Sequence, residues 1–193
     1  IREQIAGVRA VSPTGQKRLT AVNGNQNWTT NVSGIVAEYF EVFDWEFAAG
    51  RALTEGETRS GTAACIVGET VRAALFGTRD PVGERIRLGT VSGKVVGLLA
   101  EKGQSTFGTD QDDVVMVPLR IFQRRIMGDD HVPLIAVSVR EDASIPRVKR
   151  DIRYLMRERR RISPGEEEDF SVRDMTEITA MLTSTTVIMT MLL

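Results

Sequence analysis

The chain has 193 residues, 25 lysines and arginines against 26 acidic residues, and a formal net charge of −1. A balance this even excludes a general electrostatic attraction to nucleic acid or to an anionic membrane surface. With 41% hydrophobic residues the chain can close a core, and its single cysteine excludes an internal disulfide and any multi-cysteine metal site.

The first residues, "IREQIAGVRAVSP", lack the basic and then apolar pattern of a signal peptide, and both ends read as cut from something longer. "QNWTTNVSGIVAEYFEVFDWEFAAGR" reads as strand, short helix, strand. It contains the aromatic concentration "EYFEVFDWEF", with Tyr39, Phe40, Phe43, Trp45 and Phe47 inside ten residues. A short helix cannot bury all its faces, so most of these rings belong to a core and one or two stay on display. "TAACIVG", "GERIRLG", "GKVVGLLAE" and "DDVVMVPL" follow as strands bounded by Gly, Pro or Asp. Strict alternation in "RIRL" predicts a half-exposed strand. The unbroken runs "CIV" and "VVMV" predict strands buried on both faces. Helices separate them: "ETVRAALFG" places Val71, Ala74 and Leu75 on one face and ends on Gly77, and "PLRIFQRRIMG" runs from Pro118 to Gly128.

"PLIAVSVRE" predicts another strand. "ASIPRVKRDIRYLMRERRRI" predicts a helix with Ile145, Val148, Ile152, Leu155 and Met156 at helical spacing. "EDFSVRD" (residues 168–174) predicts a second strand, completing a β-α-β unit. Residues 1–45 and 133–175 are thus expected to form one discontinuous subdomain, with 46–132 inserted as a second one. The fold class is α+β, mixed α/β. The last stretch, "MTEITAMLTSTTVIMTMLL", has Asp174 as helix cap and a polar start that gives way to apolar residues. A spanning helix needs about 20 mostly apolar residues, so residues 176–193 read as the start of a truncated transmembrane helix.

The residue types of several chemistries are present without their patterns. "GTVSGKVV" has three residues between its glycines rather than four, and Val95 stands where a phosphate loop needs Ser or Thr, so a hairpin turn is expected. "GTDQDD" lacks the Gly and Glu of a calcium loop, and Asp110, Asp112 and Asp113 are expected to bond the local backbone. His131, the only histidine, is flanked by Asp129 and Asp130, but sequence neighbours in a loop rarely converge on one reacting atom. A small hydrolase built on His131 is the enzymatic alternative. Cys65 lies where a small buried residue belongs. The helix from Ser144 to Arg161 carries Arg147, Lys149, Arg150, Arg153, Arg157, Arg159, Arg160 and Arg161 against Asp151 and Glu158. That face offers itself to a partner or to lipid headgroups, or it is a solvated face part-neutralised by "EEED". No catalytic, cofactor-binding or metal site is expected.

Three stretches carry a family resemblance. "VSGIVAEYFEVFDWEFAAGRALTEGE", "CIVGETVRAALFGTRDPVGERIRLG" and "KVVGLLAEKGQSTFGTDQDDVVMVPL" resemble, in order, segments of the extracytoplasmic domain of MacB-type ABC transporters, with "AEKGQSTFG" and "LFGTRDPVG" the most specific. The resemblance covers about Val32 to Leu119, with looser agreement to Asp174. It implies a non-catalytic periplasmic domain of an inner-membrane permease, with a porter-like β-α-β subdomain and an inserted, strand-rich Sabre-like subdomain. It implies a homodimer in the full transporter, an ATPase domain outside this chain, anchorage through flanking membrane helices, a periplasmic adaptor (membrane fusion) protein and an outer-membrane channel. In such transporters ATP-driven motion crosses the membrane and drives efflux of macrolides, peptides or siderophore-like molecules. Sister systems use the architecture for lipoprotein release or cell-wall signalling. By motif position, Tyr39, Ser105 and Phe107 resemble residues of an aromatic gate between two such domains.

Overall fold

The computed structural model describes residues 1–105 and 108–181. The contacts divide it into two compact units: unit 1, made of Ile1–Arg9 with Ser138–Leu193, and unit 2, Ala10–Val137. The chain crosses between them inside two strands, β1 (Val8–Asn23) and β8 (Leu134–Val139).

Unit 2 is built on strands that close on themselves. β1 and β2 (Gln26–Ile35) form a long antiparallel hairpin, from Gly15 paired with Gly34 to Asn23 paired with Gln26. β2 then pairs in parallel with β7 (Val114–Pro118), which pairs with β4 (Ala64–Val67). β4 runs parallel to β6 (Val91–Leu99), and β6 pairs with β5 (Arg85–Leu88). β5 returns to β1 at Ala21 and Val22, residues that also pair with β2 on their other edge. Six strands therefore make a closed ladder, which removes the exposed edges a flat sheet would present. The short β3 (Phe47–Gly50) adds to β6 outside it.

The burial follows the sequence pattern. β5 alternates exposed and buried residues, and β4 and β7 are buried throughout. One apolar cluster takes side chains from all six strands, among them Ala21, Val32, Cys65, Ile86, Val95 and Val115, and adds Val71, Leu75 and Phe76 of α3 (Glu69–Phe76). The opposite faces of β4 and β7 belong to a second cluster with Ile35, Tyr39, Leu53 and Leu99, against which Phe40, Trp45 and Phe47 pack. α1 (Tyr39–Phe43) supplies Tyr39, and α2 (Glu55–Ser60) starts on a capping box between Thr54 and Glu57. The Gly89-Thr90 turn joins β5 to β6 with Leu88 opposite Val91 and Gly89 at φ +57. It is the expected hairpin turn.

Residues 118–128 do not form one α-helix. α4 (Leu119–Ile121) passes into a π-helical segment, Phe122–Met127, that ends on Gly128 in the left-handed region. Phe122 is buried against the paired glycines of the hairpin. A Cβ on Gly15 would stand 2.7 Å from Phe122 Cε1, and one on Gly34 would overlap the ring. Two side chains are thus deleted from β1 and β2 to admit one ring.

Unit 1 is centred on α5 (Ile145–Arg160), which starts at Ser144 with a proline in its first turn and ends at Arg161 in the left-handed region. Val148 and Ile152 are buried, as is Ile5, whereas Ile145 is exposed and Leu155 and Met156 are half-buried. Gly7 takes φ +92, where a Cβ would stand 2.7 Å from that of Ala143, and its carbonyl accepts from Arg140 N–H at 2.8 Å. Residues 168–174 are not a strand, which corrects the sequence expectation. Their acids are engaged elsewhere: Glu168 meets Arg153 (3.4 Å) and Arg157 (3.1 Å), and Asp169 meets Arg160. Asp174 caps the following helical residues 175–181, with Glu177 N–H on its Oδ1 at 2.9 Å. Among the described residues no helix is long and apolar enough to cross a membrane. Of residues 176–193, expected to start a truncated transmembrane helix, 176–181 are helical and 182–193 lie outside the described residues.

The contact division differs from the expected boundaries at 45/46 and 132/133 mainly on the N-terminal side. β1 pairs with β5 at Ala21 and Val22, and β2 pairs with β7 from Asn31 to Ile35; both partners belong to the expected insertion, and residues 10–35 fall in unit 2.

Candidate functional site

The aromatic concentration and the acidic loop meet in unit 2. Tyr39 is buried, its ring 4.5 Å from Phe43 and 5.9 Å from Phe40 in an edge-on arrangement, while Phe40 and Phe47 are 5.1 Å apart. These are the offset and T-shaped separations that ring quadrupoles favour. Burial pushes the Tyr39 phenol up from its ordinary value, against a hydrogen bond from Trp45 that acts the other way. The phenol is therefore neutral at physiological pH. Phe43 is displayed and Trp45 half-buried, which matches the expectation that not every ring can be enclosed.

The loop after β6 is held by its aspartates. The Asp112 carboxylate is buried and accepts the backbone N–H groups of Lys102 (2.9 Å) and Gly103 (2.7 Å). Asp110 accepts from Asp112 N–H and from the Thr70 hydroxyl, both at 2.8 Å. Asp113 accepts the indole N–H of the exposed Trp28 at 2.9 Å. Asp110 makes the local backbone bond expected of the "DQDD" loop, whereas Asp112 reaches backbone nine and ten residues upstream and Asp113 holds a side chain. From the other side, Lys102 Nζ donates to the Phe43 carbonyl at 2.9 Å and lies 4.2 Å from the centroid of the Trp45 ring. An ammonium on an indole face is an attractive pair worth about 0.5–1 kcal/mol at an exposed site. Nothing in the sequence signals this contact, because 57 positions separate Lys102 from Trp45.

These groups enclose a half-open cleft of about 300 Å³. Its floor is one face of the hairpin and its neighbour: Gln16, Ser33 and Met116 lie in register across β1, β2 and β7, with Asn31 opposite Val114 beside them. Tyr39, Phe43 and Trp45 form one wall. Lys102, Asp110 and Asp113 contribute to the other. Of the three expected gate residues, Tyr39 lines this cleft. Ser105 accepts Gly108 N–H on its carbonyl at 2.9 Å and donates its own N–H to the Thr109 carbonyl at 2.8 Å, and is not among the lining residues. Phe107 lies outside the described residues.

The other candidates do not assemble into catalytic machinery. His131 is exposed, and its backbone N–H bonds Asp129 at 3.0 Å. Cys65 is fully buried between strands, and burial pushes its thiol up to about 12, so it is no nucleophile at neutral pH. Among the described residues no three His, Cys, Asp or Glu side chains could hold a metal ion. The basic face of α5 finds acidic partners inside unit 1, the Glu168 and Asp169 pairs above together with Lys149 on Asp174 (2.8 Å) and Glu177 (2.7 Å).

The chain matches a family model described as the MacB-like periplasmic core domain over residues 1–155. It is 34% identical over 194 residues to the macrolide export ATP-binding/permease protein MacB of Bdellovibrio bacteriovorus, and 38% identical over 172 residues to the protein of the same name in Chlorobium luteolum. These alignments cover 100% and 89% of this chain but only 30% and 26% of the two relatives, so the chain spans less than a third of either. Its fold is similar to the crystal structure of the periplasmic region of MacB from Actinobacillus actinomycetemcomitans, with a TM-score of 0.79 at 20% identity over 94% of this chain and 78% of that one. It is also similar to the extracellular domain of the noncanonical ABC-type transporter YknZ from Gram-positive bacteria, with a TM-score of 0.75 at 21% identity over 89% of this chain and 84% of that one.

Proposed function

The chain belongs to the MacB-like periplasmic core domain family, and we propose that it is the non-catalytic part of an ABC export permease that carries ATP-driven motion to the periplasmic side. The match over residues 1–155 is the observation that carries this reading. On it, the parent acts as a homodimer, anchored through flanking helices, and hands cargo such as macrolides or peptides to a periplasmic adaptor and an outer-membrane channel. ATP hydrolysis belongs to a part of the parent outside this chain. Residues 1–45 and 133–175 are its porter-like part and 46–132 its Sabre-like part, names that rest on the resemblance rather than on the division by contacts.

Tyr39, Ser105 and Phe107 are the proposed gate. Apolar rings can close a passage by excluding water, and Tyr39 stands with two further rings at a cleft wall. In the full transporter, Tyr39→Ala combined with Phe107→Ala should lower export several-fold while ATP hydrolysis persists. Export unchanged in that variant would remove the gate from the account. A permease whose gene carries no ATPase domain would instead favour the lipoprotein-release or cell-wall-signalling systems.

A further inference from the structure

Lys102 places an ammonium on the Trp45 ring, as a bound cation would. Its backbone is anchored separately, through the two N–H groups on the buried Asp112 carboxylate. Among the described residues the side chain itself is fastened by the Phe43 carbonyl and the ring, and it can leave both without undoing the loop. Tyr39 and Phe43 line the cleft alongside Trp45, so three aromatic rings meet one small space. Two lining carboxylates, Asp110 and Asp113, face one lining ammonium. Among the described residues Asp113 accepts one indole N–H, on one oxygen, and a carboxylate can accept several bonds. Aromatic walls with an excess of negative charge favour a cation, and about 300 Å³ suits a small organic molecule.

We propose that this cleft binds an organic ammonium carried on a small apolar body, the guest's cationic group taking the place over Trp45 that Lys102 holds in its absence. Lys102 is then an internal competitor, and guest binding releases its side chain. The inference names a ligand class for the candidate cleft. It stands or falls independently of the export reading, because binding is measured on the chain alone.

The test titrates the 193-residue chain with benzyltrimethylammonium, following the indole N–H signals of Trp45 and Trp28 by NMR, with benzyl alcohol as the neutral comparison. Saturable millimolar binding of the ammonium is expected, with Trp45 shifted most and benzyl alcohol bound at least about threefold more weakly. Lys102→Met should tighten the ammonium about threefold, because the competitor is gone, and Trp45→Leu should weaken it by a similar factor. A merely apolar cleft would bind benzyl alcohol as well as the ammonium, and that result overturns the proposal. So does a Lys102→Met variant that binds the ammonium no better than the parent chain. If that variant does not fold, the preference of the unaltered chain for ammonium over alcohol decides alone.

Discussion

The two units are held together by different physics. In unit 2, apolar side chains from six strands and α3 meet in one cluster, with a second on the far face of β4 and β7. In unit 1 the described core is slight, Ile5, Val148 and Ile152, and the segment after α5 is tied back by ion pairs from Lys149, Arg153, Arg157 and Arg160. Apolar burial carries no charge for salt to screen or mild acid to titrate. Exposed ion pairs are worth about 0–1 kcal/mol each and are screened over about 10 Å at 0.1 M salt. One unit should therefore open only cooperatively, and the other should loosen locally under conditions that leave the first intact.

The largest test of this contrast is Phe122→Ala. It removes a buried ring from the slot made by Gly15 and Gly34 and should cost unit 2 about 3–5 kcal/mol in urea unfolding. Unfolding can be followed by thiol labelling of Cys65, which is inert while buried. A loss below about 1 kcal/mol would mean that the glycine pair does not hold the ring. Thr54→Ala comes next. It removes the hydroxyl that accepts Glu57 N–H at 3.2 Å and starts α2, and it should cost about 1 kcal/mol, read from the same curves.

The smallest global effect and the most local one belong to Lys149. Hydrogen bonds from Lys149 hold the Asp174 and Glu177 carboxyls below their ordinary values and raise Lys149 itself. A depressed carboxylate contributes stability that is present above its unfolded value, about 4, and lost as pH falls through the folded one. Hydrogen exchange at residues 175–181 should therefore show lost protection below about pH 4, and Lys149→Met should show much of that loss already at pH 7. The β4 and β7 amides should respond to neither. Equal sensitivity in both places would end the contrast. Glu57, held at about 2 chiefly by a hydrogen bond from Arg51, is the counterpart in unit 2 and should keep α2 capped in acid well below the ordinary carboxylate range.

Much of unit 2 was legible because burial on one or both faces writes itself into β-branched runs. "CIV", "VVMV" and "RIRL" each predicted the exposure that β4, β7 and β5 show. β1 was not legible. Its 16 residues include Pro13, Gly15, Lys17 and Arg18, and Gly15 is there for the Phe122 ring rather than for the strand. "EDFSVRD" misled in the opposite way, since its acids Glu168, Asp169 and Asp174 serve ion pairs to α5 and the segment joins no ladder. Of the cleft, the sequence exposed the rings and the aspartates. It hid their meeting, because Trp28 meets Asp113 only through the pairing of β2 with β7, and Lys102 meets Trp45 only through the pairing of β3 with β6.

The claim that matters most is that ATP-driven motion reaches this domain. It is tested most directly in the full transporter with a spin label at exposed position 101 of each copy, Glu101→Cys, and the label-to-label distance measured with and without ATP. The account predicts a distance distribution that shifts on ATP binding and returns after hydrolysis. Identical distributions in a preparation that hydrolyses ATP and exports its cargo would contradict it.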